Sequence, residues 1–102
     1  MGVHRITSPA AKAYMTRERI LNDGMSLLGA TAEKTGLNQQ ALEAAGDLAA
    51  QLVPHAPGYG GKALQILATQ FWRQAKVKDK AVDMLSFDDL EKKVEALRRL
   101  VG

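Results

Sequence analysis

Residues 32–42 read AEKTGLNQQAL, and the way this run is divided decides the fold. Thr35-Gly36 stops a helix, because glycine enters the left-handed conformation that a helix C-terminus often needs. Two residues later, Asn38 is a good N-cap. The run is therefore an elbow between two helices. Downstream, Ala41, Leu42, Ala45, Leu48, Ala49, Leu52 and Val53 recur at helical spacing and predict a helix over 38–53 with an alanine-rich packing face. Upstream, Ala10, Tyr14, Leu21, Met25, Leu28 and Ala32 form another stripe behind a Ser8-Pro9 start. Asn22-Asp23-Gly24 is a turn signal inside that stripe. The reading preferred here is two helices, about 9–22 and 26–35.

Beyond Val53, PHAPGYGG (54–61) is a loop. Leu64, Leu67, Ala68, Phe71, Ala75, Val82 and Leu85 share one stripe if a helix runs over 61–85. Ser86 with Asp89 resembles a capping box opening a last helix, 86–101. The expectation is an all-α protein: a compact bundle of four to five helices in one domain, residues 8–102, behind a loose arm of residues 1–7. Composition agrees. In 102 residues, 46% are apolar, aromatics are only 5%, and cysteine is absent. Alanine and leucine, good helix formers, outnumber the β-branched residues of strands.

Several functions are excluded or disfavoured at this level. Without cysteine there are no disulfides, thiolate metal sites or thiol chemistry. His4 and His55 lack metal-ligand spacing. No apolar run reaches the ~18 residues of a membrane span, so no membrane partner is expected. The first residues lack the apolar core of a secretory signal, and a cytoplasmic location follows as the default expectation. No serine, cysteine or carboxylate neighbours His55 in sequence, and Asp88-Asp89 are explained as helix-start charges. The expectation is a non-enzymatic protein without cofactor or metal.

The elbow carries the most pointed functional signal. Residues 28–47, LGATAEKTGLNQQALEAAGD, resemble the helix-turn-helix of phage-type repressors at Ala32, Gly36, Leu42 and Ala45. The resemblance implies a small residue at a tight crossing (Ala32), a turn at positive φ (Gly36) and a core anchor (Leu42). It further implies that Gln39 and Gln40 project from the start of a recognition helix toward base edges. Thr35 departs from the family, which places an apolar residue there, and Glu43 and Asp47 make the recognition helix acidic. Net charge is +3, and its basic surplus lies in 54–80. Lys34, Arg73, Lys76, Lys78 and Lys80 would then meet phosphates. The alternative for the same elbow is an ordinary turn between packed helices.

Three other features qualify as candidates. APGYGGKA (56–63) nearly fits a phosphate-binding loop, but Ala63 stands where Mg²⁺ needs a hydroxyl and no strand precedes it. The N–H groups of Gly60, Gly61 and Lys62 could still hold an anion at a helix start. Trp72, a position away from the Phe71 stripe and beside Arg73, Lys76, Lys78 and Lys80, is expected partly exposed. Leu90, Val94, Leu97 and Val101 form a short seam that packs on the domain or on a second copy of the chain. Two functions follow: a small dimeric DNA-binding regulator, or a protein-interaction module using the alanine-rich helix or the C-terminal seam.

Overall fold

The computed structural model describes residues 9–56 and 58–102, with side chains from residue 16 onward. The arm at 1–7 and the side chains of Ala10 and Tyr14 lie outside these. Among the described residues there are four α-helices and no strand: α1 (Pro9–Ala32), α2 (Gln39–Leu52), α3 (Tyr59–Ala75) and α4 (Phe87–Val101), with a 3-10 turn, Val53–His55, between α2 and α3. α2 is central. It packs on α3 along one side and on α1 and α4 along the other, while α1 and α4 also pack together. No helix is long and apolar enough to cross a membrane.

α1 is one helix, not two. It runs through Asn22-Asp23-Gly24 because Gly24 is buried at the point where α2 and α4 approach. A methyl group there would lie 3.1 Å from Leu52 Cδ1 and 3.4 Å from Val94 Cγ2. Glycine inside a helix costs about 1 kcal/mol against alanine, and the close approach of three helices offsets it. The buried face is also rotated from the expected stripe. Ile20, Leu28 and Thr31 are buried beside Gly24, whereas Met25 is 38% exposed and Ala32 is exposed. Hydropathy discounts Gly24 and Thr31, so it turns the stripe by about one position. Thr31 enters the core because its Oγ1 donates to the Leu27 carbonyl at 2.7 Å.

The elbow forms, but α1 ends at Ala32, three residues before the expected 35, so Gly36 turns the connecting loop instead of capping the helix. Gly36 has φ +74°, and Asn38 Oδ1 accepts from the Ala41 N–H at 2.8 Å. Ala41, Ala45, Gly46, Leu48, Ala49 and Leu52 are buried along α2. The closest approach to α3 is at Gly46, over which the Trp72 ring lies. A Cβ on Gly46 would sit 2.5 Å from Trp72 Nε1. Trp72 is consequently 4% exposed, buried rather than partly exposed, because glycine leaves room for the whole indole.

α3 ends at Ala75, ten residues before the expected 85. Lys76 adopts φ +62°, the Lys76 N–H donates to the Arg73 carbonyl, and the Val77 N–H donates to the Trp72 carbonyl. These are the two bonds of a Schellman motif, with lysine in the left-handed position usually given to glycine. Residues 77–86 then run without regular structure back across the molecule. Val77, Val82 and Leu85 are partly buried against the core on the way. Ser86 Oγ accepts from the Asp89 N–H at 3.2 Å and opens α4, which buries Leu90, Val94 and Leu97.

Candidate functional site: the outer face of the third helix

The elbow residues are largely occupied by the fold. Gln39 Nε2 donates to the Ala75 carbonyl at 2.8 Å, so this side chain caps α3. Lys34 Nζ donates to the Val101 carbonyl at 2.8 Å and closes the end of α4. Lys80 Nζ lies 2.5 Å from Glu43 Oε2 and 3.0 Å from Asp47 Oδ1. Its hydrogen bond to Glu43, with the Asp47 bond and both negative charges, outweighs partial burial and holds its pKa above the ordinary lysine value. Asp47 also accepts from Trp72 Nε1 at 2.9 Å. The two acidic residues of α2 thus serve to tie the 77–86 segment and α3 onto α2.

Of the seven residues assigned to DNA, then, Lys34, Gln39 and Lys80 have internal partners, Lys34 and Gln39 while still exposed, and Gln40, Arg73, Lys76 and Lys78 are exposed as well. Six residues, Glu33 to Asn38, separate α1 from α2, where a helix-turn-helix uses three or four. Ala32 is exposed and occupies no helix crossing. The tight crossings are at Gly24 and Gly46.

Both surfaces proposed for protein interaction are consumed as well. Leu90, Val94 and Leu97 are buried in the domain's own core, and Val101 is half-buried. They face α1 and α2, because a seam this apolar finds its partner within the chain. Ala41, Ala45 and Ala49 are likewise buried. The expected loop 54–61 is shorter, since Val53–His55 form a 3-10 turn and α3 starts at Tyr59. The Lys62 N–H donates to the Gly58 carbonyl in the first turn of α3, and Gly61 is buried against Ala56 and Val53. His55 packs its ring on Phe87, centroids 4.8 Å apart, and Arg17 lies over the other ring at 5.2 Å from the Phe87 centroid. Among the described residues, no group of three or more His, Asp or Glu side chains is placed to hold a metal.

What remains open is the outer face of α3. Gly61, Leu64, Ala68, Phe71, Trp72 and Ala75 point inward. On the opposite side Tyr59 is 88% exposed and Ile66 60% exposed. Seven residues return a helix to nearly the same direction, so Tyr59, Ile66 and Arg73 form one row, with Ala63 and Gln70 completing a four-three spacing. Lys62, Gln65, Ile66, Thr69, Gln70 and Arg73 line a shallow depression of about 550 Å³ along this face. Beside it, Met25 and Gly29 of α1 with Gly60, Ala63 and Leu67 of α3 border an apolar groove of about 280 Å³. The chain has no carboxylate between Asp47 and Asp79, so every charge on this face is positive. Sequence reading stresses Arg73, Lys76 and Lys78, meets Lys62 only as part of an anion-binding helix start, and passes over Gln65, Ile66, Thr69 and Gln70. The available signal is the second period of α3, a polar and apolar row opposite the core stripe.

No model of a known protein family matches the chain, and no solved structure matches it. A protein of Archaeoglobus fulgidus is 50% identical over 103 residues, an alignment that covers all of this chain and 95% of the archaeal one. The chain belongs to that protein's family. The archaeal member is described as an uncharacterized protein, so this family brings a shared sequence and no stated activity. The aligned region spans all four helices.

Proposed function

We propose that this protein is a non-enzymatic helical docking module that holds another protein through the outer face of α3. The observation that carries this reading is the exposed row Tyr59–Ala63–Ile66, set beside the Met25–Leu67 groove. Among the other described residues, Met84 on the 77–86 segment is the one further large apolar side chain in the open, 67% exposed, and it stands apart from this row. Contiguous exposed apolar surface on a small domain marks contact sites more often than chance, and an exposed helix face at three-four spacing is a standard docking element. The α2 and α4 faces are unavailable because they are already buried.

Capture on a tagged chain tests the reading. Wild-type protein is expected to retain a protein in near-stoichiometric amount, whether another protein or an untagged copy of itself. Ile66→Asp is expected to lose it while melting at the same temperature. Identical retention by both, or none by the wild type, overturns the reading.

Duplex DNA is the second reading, supported by the carboxylate-free run that ends in Arg73, Lys76 and Lys78. Phosphate contacts weaken with salt by about 0.9 log unit of affinity per log unit of salt for each contact. Absence of binding at low salt would sink it. So would a salt slope that stays the same after Arg73, Lys76 and Lys78 are changed to alanine.

A further inference from the structure

The chemistry of α3's outer face also specifies its occupant. We infer that it receives an acidic amphipathic helix of a partner protein, an inference that rests on the docking reading above. Three features of the surface combine. Ile66 stands exposed at the middle of the depression, with Ala63 leading into the Met25–Leu67 groove, so the centre of the face asks for apolar side chains. Lys62 and Arg73 stand at its two ends. They are eleven residues apart, or roughly 16 Å along the helix. Amide and hydroxyl groups of Gln65, Thr69 and Gln70 lie between them and carry no charge.

A helix with one apolar stripe and carboxylates about three turns apart meets all three demands. Its apolar side chains cover Ile66 and Ala63, and its carboxylates reach Lys62 and Arg73. Steering by opposite charge raises the encounter rate and selects against basic partners. Small residues at Gly29, Gly60 and Ala63 let a helix backbone approach closely. A second copy docking through the same face would bring cations against cations, with no carboxylate between Asp47 and Asp79 to relieve them. Duplex DNA would leave Ile66 and Tyr59 facing phosphates and water, so the apolar centre would go unused.

The test is fluorescence anisotropy of the full chain with a labelled synthetic peptide: an amphipathic helix with leucine and alanine on one face and glutamates along its flanks. A scrambled peptide of the same composition and a version with lysine for glutamate serve as comparisons. The intact acidic peptide is expected to bind at least tenfold more tightly than the scrambled one. Ile66→Asp is expected to abolish that margin without changing the melting temperature. Changing Lys62→Glu and Arg73→Glu together should invert the preference, favouring the lysine peptide.

Equal binding of intact and scrambled peptides overturns the inference, as does a charge reversal that leaves the preference intact. Duplex DNA that binds with unchanged affinity to Ile66→Asp and displaces the peptide would make this a nucleic-acid surface instead. Light scattering at twice the 11.0 kDa chain mass, returning to one chain mass in Ile66→Asp, would assign the face to a second copy. If the peptides fail but tagged wild type still captures an Ile66-dependent protein, docking stands and only the acidic-helix partner falls.

Discussion

α2 and α3 lie against each other along most of their length, yet they use their charge in opposite ways. The carboxylates of α2, Glu43 and Asp47, are turned inward onto Lys80 and the Trp72 indole. The cations on α3, Lys62 and Arg73, stand exposed with neutral neighbours on their own helix. One helix spends its charge on holding the fold together, and the other leaves it facing outward. Charge counted along a chain therefore overstates what a surface presents. It has to be discounted for every internal partner, and here the discount removes Lys34 and Lys80 from the basic set.

The strongest way to break this contrast is at Gly46. Gly46→Ala would push a methyl group into the indole of Trp72. Overpacking of this kind costs about 1–3 kcal/mol, and the upper end is expected because ring and helix both have to move. Urea unfolding measures the loss. Trp72 is the chain's single tryptophan, so a red-shifted native emission would report the displaced ring directly. An unchanged midpoint and spectrum would mean that α2 and α3 do not meet as described.

Asp47→Ala comes next. It leaves the Trp72 N–H buried without its acceptor and removes one carboxylate from Lys80. A buried donor left unpaired costs about 1–3 kcal/mol, so a loss near 1–2 kcal/mol is expected in the same unfolding measurement.

Lys80→Met sharpens the comparison through pH. The pair is partly exposed, so about 0.5–1 kcal/mol is expected at neutral pH. The folded pKa of Lys80 is raised by Glu43 and Asp47. Its contribution is therefore fully present below the unfolded lysine pKa, about 10.4, and is lost as pH rises through the higher folded value. The stability gap between wild type and Lys80→Met should hold flat through neutral pH and close in strongly alkaline solution. A gap that closes around neutral pH, where neither lysine nor carboxylate titrates, would point to another group.

The smallest effect on stability is expected on α3's outer face and at the two lysines just beyond its end. Replacing Lys62, Arg73, Lys76 and Lys78 by alanine one at a time should leave stability within about 0.5 kcal/mol, since none has, among the described residues, an internal partner comparable to that of Lys80. A larger loss at any of them would place that residue with α2's charges, among those that hold the fold.

Much of the architecture is legible from local chemistry. Asn38 and Ser86 announce their helices because a short polar side chain can satisfy a free N–H, and both do so. Gly36 marks the elbow because positive φ is cheap only for glycine. Gly24 reads as a break because its role lies in the third dimension, in how close Leu52 and Val94 come. The end of α3 is hidden for a related reason: Lys76 takes a left-handed conformation that sequence statistics reserve for glycine. The functional surface is hidden most deeply. Gln39 and Lys80 look available in the sequence, and only the fold supplies Ala75 and Glu43 as their partners. Ile66 falls outside the expected stripe of α3, and its meaning as exposed apolar surface emerges once the inward stripe is complete without it.

Because the chain has no cysteine, single introduced cysteines can be labelled cleanly. The most direct test of the central claim compares a bulky maleimide attached through Ile66→Cys on α3 with the same label attached through Gln40→Cys on α2. Partner retention by the two labelled proteins is then measured beside the unlabelled ones. The label at 66 is predicted to abolish retention and the label at 40 to leave it intact. Loss at 40 with retention preserved at 66 would return the binding surface to the elbow and contradict this account.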